Sequence, residues 1–477
     1  MGMCVKTVFL VVGVAACSSS PTSDPVSGVA PSPEVVDPEG AAPYRNPDAP
    51  GLQARPNLPP VEYTPVGETS TTPRSILLIS WDTVRADRMG LYGGRALTPQ
   101  LDALAAEGVR FDAALTPIPE TSLAHWAVMT GVSPMVHGDV PGTGASRYRG
   151  PTLAEIARTQ DYATGAFIGG ITLSAHASGL DRGFDRFDDH HDWDATALKR
   201  PGMEVSESAI SWMEGQDTPF LAFVHFFDAH TPYNPPSPWN GRYADGEAPA
   251  PLANPGPEDR EDQLGLYDGA ISFLDSLLPA LIEAAGEDCV VVLFSDHGES
   301  FEHGYLYNHR DSLWDSTLRV PLVIRAPGLS ASVVSEQVGL VDLFPTVLEL
   351  AGLPGEAKSQ GESLLLLARG GQGGRPIAQA VARPFQEEAA FAARTLSFKA
   401  IWGPGNSALA YDLSTDPAEQ EEIGSIPEIL VGEPEAHESL LEAAAVLQHP
   451  VFPPRALPPE EVERLEALGY AGETTRP

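Results

Sequence analysis

Cys289-Val-Val-Val-Leu-Phe-Ser-Asp296-His297-Gly298-Glu299 sets an apolar run directly before an aspartate, a histidine and a glycine. Two other runs share the form: Ser75-Ile-Leu-Leu-Ile-Ser-Trp81 ends in Asp82, and Phe220-Leu-Ala-Phe-Val-His-Phe-Phe227 ends in Asp228. Short runs rich in Val, Ile and Phe read as buried strands of a parallel sheet. In open α/β sheets ligands bind beyond the carboxyl ends of the strands. Three carboxylates at three such ends would share one edge and repel each other unless a cation holds them. The pattern therefore predicts a metal site, and with it an enzyme.

Helical spacing fills the intervals between the strands. Leu101, Leu104 and Ala105 lie on one helix face, closed by Gly108. Helices are also expected over Ser122–Met129, Thr152–Arg158, Met203–Glu214, Asp262–Ala285 and Leu340–Ala351, with further strands at Ala163–Ile168 and Val320–Arg325. The alternation predicts an α/β fold, a mostly parallel central sheet with helices on both faces. After about Gly374 the pattern changes. Pro376–Ala382, Ala389–Arg394, Ser397–Trp402 and Ala408–Leu413 read as a small antiparallel sheet, followed by helices at Glu438–Leu447 and Pro459–Leu468.

The 477 residues carry 65 acidic against 29 basic side chains, a formal charge of −36. That balance argues against nucleic acid as a partner, which needs a basic face. It permits a small anionic substrate, because a bound divalent cation can dominate the local field. At the N-terminus, Lys6 precedes a short apolar run from Val8 to Ala16, too short to span a bilayer and suited to an export signal. Val14-Ala15-Ala16-Cys17 resembles the bacterial lipobox, so residues 1–16 are expected to be removed and Cys17 lipidated. Residues 17–74, rich in Pro, Ser and Gly, read as a flexible tether. This predicts an exported lipoprotein of a bacterial cell envelope, touching the membrane through its N-terminal lipid only. A catalytic domain over 75–374 and a C-terminal subdomain over 375–477 follow. With Cys4 removed and Cys17 lipidated, only Cys289 remains, so no disulfide is expected.

Asp296 and His297 together favour zinc, manganese or iron over purely oxygen-bound calcium. Thr121 precedes a predicted helix, where unpaired backbone donors and the positive end of the dipole attract tetrahedral anions. As a nucleophile its hydroxyl would need activation, which metal coordination supplies. His230 lies two residues beyond Asp228. Of His303 and His309, His309 is the one expected in the site.

These segments resemble the sulfatase family of the alkaline phosphatase superfamily. The resemblance begins with Ile76-Leu-Leu-Ile-Ser-Trp-Asp-Thr-Val-Arg-Ala-Asp-Arg-Met-Gly-Leu-Tyr-Gly93 and Thr98-Pro-Gln-Leu-Asp-Ala-Leu-Ala-Ala-Glu-Gly108. It continues through Asp228-Ala-His-Thr-Pro-Tyr233, Ser295-Asp-His-Gly-Glu299, Arg319-Val-Pro-Leu-Val-Ile324 and Asp342-Leu-Phe-Pro-Thr-Val-Leu348, and ends with Tyr411-Asp-Leu-Ser-Thr-Asp-Pro417 and Leu465-Glu-Ala-Leu-Gly-Tyr470. It implies an alkaline-phosphatase-like fold and hydrolysis of sulfate or phosphate esters. By resemblance, Asp82, Asp296 and His297 would hold a divalent metal, zinc or manganese being favoured and calcium the alternative, with Thr121 the nucleophile bound to it. His230 and His309 would contact the ester or protonate the leaving group, or join Asp228 around a second metal.

The departures from the family pattern are informative. The usual Cys-x-Pro-Ser-Arg, whose Cys or Ser becomes formylglycine, is here Thr121-Ser-Leu-Ala-His125. Thr83 replaces a second consecutive aspartate. Phe167-Ile-Gly-Gly170 occupies the approximate place of a Gly-Lys-Trp-His stretch, and His309 stands where many members have lysine. These changes resemble the threonine-dependent phosphodiesterases and phosphoethanolamine transferases of the superfamily. A head-group transferase and an inactive anion-binding lipoprotein are the alternatives.

Overall fold

The computed structural model describes residues 73–433 apart from 135–147, 149, 192–197, 245, 253–254, 355–358, 383–388, 404–407 and 432. The predicted signal, residues 17–72 of the tether with Cys17, and the helices at Glu438–Leu447 and Pro459–Leu468 lie outside the described residues.

The three apolar runs form adjacent strands. β1 (Ile76–Trp81) is central, and every one of its residues is buried. β2 is Val109–Leu115, β3 Ala163–Ile168, β4 Arg186–Asp188, β5 Phe220–Phe226 and β6 Val290–Phe294. β1 pairs in parallel with β5 on one side and β6 on the other. A hairpin of β7 (Ser300–Glu302) and β8 (Tyr305–Asn308) follows, then β9 (Arg319–Val320), β10 (Leu322–Arg325) and β11 (Ser332–Gly339). The main sheet runs β11-β2-β10-β6-β1-β5-β3-β4, with β9 on β2. β10 is antiparallel to both its neighbours, so the sheet is mostly but not wholly parallel.

Helices cover both faces, as buried apolar strands require. They are α1 (Pro99–Ala106), α2 (Thr121–Thr130), α3 (Leu153–Thr159), α4 (Gly202–Glu214), α5 (Arg260–Ala285) and α6 (Leu343–Ala351). Alternate strand residues face opposite ways. Ile76, Leu78, Phe223 and Phe294 join one core with Trp126 and Val347, from α2 and α6. Leu77, Ile79, Val224 and Leu293 join the other, with Val205 and Ile271, from α4 and α5. The apolar α5 is mostly buried, a core helix rather than a span.

The sequence reading does not find β2 and β11 of the main sheet, nor the short β4, β7 and β8. β2 carries Arg110 and Asp112 at its half-exposed positions. β11 contains Ser, Glu and Gln and shifts register between Val334 and Gln337, which destroys its alternation.

The C-terminal region forms a separate antiparallel sheet of β12 (Ala378–Ala382), β13 (Ala390–Arg394), β14 (Phe398–Trp402) and β15 (Ala408–Asp412). It is joined to the main body by a buried ion cluster. Asp315 receives Arg394 at 2.8 Å and Lys399 at 2.9 Å, and Lys399 also reaches Glu419 at 2.8 Å.

Candidate metal centre and active site

Register decides which aspartates meet. Ser80 lies level with His225 on β5 and Phe294 on β6. Two residues on, Asp82 is therefore level with Asp296, and both side chains point to the α2 face. Asp228 is one residue past this level, so the pleat turns it toward α4. There its Oδ1 accepts the Gly202 N–H at 3.2 Å. Burial raises its pKa to about 6. The expected convergence of three carboxylates is thus corrected to two. Among the described residues, the group whose ligand atoms all lie within 4.8 Å of one another is Asp82, Asp296 and His297. Asp228, His230 and His309 do not assemble such a group.

The donor set fits a cation. Asp82 Oδ2 faces His225 Nε2 at 3.1 Å, while Oδ1 has no hydrogen-bond partner. Asp296 Oδ1 accepts the N–H groups of Thr83 at 3.2 Å and His297 at 2.9 Å, while Oδ2 has none. His297 Nδ1 lies 2.9 Å from the Gly298 carbonyl, which can only accept, so Nδ1 carries the proton. Its Nε2 lone pair then faces Asp296 Oδ2 at 3.3 Å. Lone pairs that converge without a donor cost free energy in a buried site, and a cation removes that cost. Burial raises the pKa of both aspartates well above the ordinary value; for Asp296 the Asp82 charge adds to the effect. An Nδ1–H anchored on a carbonyl is the arrangement usual for a metal-binding histidine.

Close backbone approach shapes this corner. A Cβ on Gly298 would fall 2.0 Å from the Ser316 carbonyl oxygen, so the glycine after His297 is sterically required. Thr83 adopts φ 61°, an uncommon left-handed conformation for a threonine. Its hydroxyl donates to the Asp82 carbonyl at 2.7 Å, so it does not replace the family's second aspartate as a ligand.

Thr121, at the first position of α2, is fully buried and hydrogen-bonded to Asp82. Its Oγ lies 3.3 Å from His297 Nε2. The expectation that the α2 amides are unpaired needs correction. The Glu120 carboxylate accepts Ser122 N–H at 3.4 Å and Leu123 N–H at 2.9 Å. A carboxylate of the chain, not a substrate, already caps that turn.

Two histidines within apolar surroundings escaped the sequence reading as site residues. His225 lies inside the β5 run and faces Asp82; burial lowers its pKa to about 3. His125, noted only as a replacement for the family arginine, faces the Thr121 carbonyl through Nδ1 at 2.7 Å and Ser80 Oγ through Nε2 at 2.8 Å. It supports the helix start from below. A histidine amid strand aromatics carries no local signal of this role.

The β7–β8 hairpin returns the chain so that His309 stacks on His297, with ring centroids 4.3 Å apart, and meets His230 edge-on at 5.3 Å. His303 instead stacks on Trp314 at 4.5 Å, outside this cluster. Glu299 accepts from His309 Nδ1 at 3.1 Å and from the Tyr233 hydroxyl at 3.1 Å, and burial raises its pKa to about 7. Arg310 is half-buried; its charge acts on both Glu120 and His309.

A parallel sheet whose strand ends bring two aspartates, a histidine and a hydroxyl together at a helix start defines an alkaline-phosphatase-like hydrolase fold. The chain belongs to the sulfatase family, whose model matches residues 74–353. It is 26% identical over 360 residues to an uncharacterized sulfatase, YidJ, of Escherichia coli, covering 61% of this chain and 70% of that one. It is 28% identical over 335 residues to an ulvan-active sulfatase of Formosa agariphila, covering 61% and 64%. Among solved structures, a phosphonate monoester hydrolase of Agrobacterium radiobacter superposes with a TM-score of 0.64 at 22% identity, covering 78% of this chain and 96% of that one. A protein solved with its substrate D-glucosamine-2-N,6-O-disulfate gives 0.65 at 19%, covering 80% and 99%. At these identities the structural likenesses establish the fold.

Proposed function

We propose that this chain is a metal-dependent hydrolase of sulfate or phosphate esters with unmodified Thr121 as nucleophile. The observation that carries the reading is the Thr121 hydroxyl, 3.3 Å from His297 Nε2 and hydrogen-bonded to Asp82. Asp82, Asp296 and His297 would hold the divalent metal, which would supply Lewis acidity and lower the pKa of a nearby hydroxyl. Thr121 Oγ forms a bond to sulfur or phosphorus while the ester bond to the leaving oxygen breaks. The hydroxyl proton passes to Asp82, to which it is already hydrogen-bonded. His230 and His309 flank the same space with their protons held on Nδ1, and one of them, taking up a second proton at Nε2 as the anionic ester binds, gives it to the leaving oxygen. Water then bonds to the sulfur or phosphorus as its bond to Thr121 Oγ breaks, Asp82 returns the proton to Oγ, and the anion leaves.

Turnover of 4-nitrophenyl sulfate and bis(4-nitrophenyl) phosphate by the full chain, beside elemental analysis of the same sample, tests the reading. Loss of turnover on chelation and its return with zinc or manganese are expected. Phosphodiester turnover would place the chain with threonine-dependent phosphohydrolases, and sulfate-ester turnover would make it a sulfatase that works without formylglycine. Tight metal binding without turnover of either ester would overturn the hydrolase reading.

The lipoprotein reading of Val14-Ala15-Ala16-Cys17 belongs to the same proposal, because it sets the enzyme on the outer side of a bacterial membrane. Expression of Cys17→Ala in a bacterial host is expected to shift the chain from the membrane fraction to the soluble fraction. An unchanged distribution would remove lipid as the anchor.

A further inference from the structure

Phe167-Ile-Gly-Gly170 spans the end of β3. The fold brings a lysine beside this strand end from elsewhere in the chain. Lys199 forms an antiparallel bridge with Gly170. The flanking backbone closes around it, with Arg200 N–H to the Gly169 carbonyl at 2.8 Å and Ile171 N–H to the Leu198 carbonyl at 3.3 Å. The two glycines let this stretch lie close against the end of β5. A Cβ on Gly169 would lie 2.6 Å from the His225 carbonyl oxygen, and one on Gly170 2.5 Å from the Phe227 ring.

The Lys199 ammonium donates to the carbonyls of His230 and of Pro232, the latter at 2.8 Å, and lies 3.5 Å from that of Asp228. An ammonium has three donors and no acceptor, so these contacts match its capacity. Carbonyl dipoles that converge from one turn repel unless a cation gathers them. His230 hangs from this turn. Its Nδ1 donates to the Thr231 carbonyl at 2.7 Å, between two of the gathered carbonyls. Its ring stacks on Phe227 at 4.2 Å, and the Lys199 ammonium lies 5.9 Å from the centroid of the same Phe227 ring.

We propose that Lys199 is a positioning residue for His230: delivered opposite Gly170, its ammonium shapes the Asp228–Pro232 turn and so aims the His230 imidazole at the ester. The inference deepens the hydrolase reading and rests on it for its kinetic consequence. Lys199 does not touch the reacting atoms; its charge is spent on backbone carbonyls.

A double-mutant cycle on the full, metal-loaded chain tests this, with Lys199→Met, His230→Ala and both together. Methionine keeps the unbranched length and removes the donors. Lys199→Met is expected to lower kcat by about 10- to 100-fold, as a small misplacement of a reacting group does, with little change in KM. In the His230→Ala background the same change is expected to cost less than about twofold, because the two residues act as one unit. Lys199→Arg, which restores a cation and donors, should recover part of the loss. It carries the same cycle if Lys199→Met fails to fold. Equal losses in both backgrounds, or none in either, would overturn the proposal. Long-range proton–nitrogen NMR of His230 gives a readout independent of turnover. The wild type should show the proton on Nδ1, and Lys199→Met a mixture of tautomers. An unchanged tautomer would also overturn it. A wild type without turnover whose His230 tautomer nevertheless depends on Lys199 would overturn the hydrolase reading alone.

Discussion

Replacing Thr121 by alanine is expected to lower kcat by on the order of 10⁴-fold or more, the scale seen when a nucleophile is removed from a preorganised site. The fold should survive. Thr121 is buried, but the change removes one hydroxyl, so the stability cost is about 1 kcal/mol, the worth of a typical hydrogen bond. Metal content should persist, because Asp82, Asp296 and His297 keep their converging lone pairs. Thr121→Ser keeps the oxygen at the first position of α2 and should retain activity far above that of alanine. Steady-state kinetics on metal-quantified samples check all three statements. Full activity in Thr121→Ala would remove this residue from the nucleophile role.

The second large effect concerns stability. Lys399 is fully buried between Asp315 and Glu419, at 2.9 and 2.8 Å. Lys399→Met leaves two carboxylates without their shared cation, which costs about 3–5 kcal/mol when one partner of a buried ion pair is removed. Chemical denaturation should read this loss, and adding Glu419→Gln should recover part of it. Burial alone would raise the pKa of Asp315, but Arg394 and Lys399 outweigh it and hold this carboxyl well below the usual range. Its folded value lies below its unfolded value of about 3.9. The stabilisation is therefore fully present above about pH 4 and is lost as pH falls through the folded value. Glu419 works oppositely. Burial raises it to about 7, so it costs stability as pH rises from its unfolded value of about 4.3 toward 7. Asp315→Asn should flatten the acid limb of the stability profile, and Glu419→Gln the limb above it.

Comparison of sequence and structure shows where physical signals end. β1, β5 and β6 were legible because strands buried on both faces must be apolar throughout. The level of each terminal aspartate was not. Asp228 follows an apolar run like the other two, but it stands one residue later in the ladder, and a shift of one reverses the face. Only pairing fixes that offset. The first turn of α2 misled for a related reason. Its position was readable, whereas the return of the Glu120 side chain onto Ser122 and Leu123 depends on its rotamer. His309 is favoured over His303 before any resemblance enters, and the hairpin places it against His297. His225 and Lys199 had no readable code. One looks like a core residue of β5 and the other like a loop cation, and each gains its role from a segment distant in sequence.

The most direct measurement is mass spectrometry of the peptide spanning Thr121 after the metal-loaded chain has been mixed with excess ester and quenched in acid. An unmodified threonine is expected before mixing and, after it, the mass of one phosphoryl or sulfuryl group carried on Thr121. Rapid turnover with Thr121 unmodified at every quench time, and undiminished in Thr121→Ala, would contradict it.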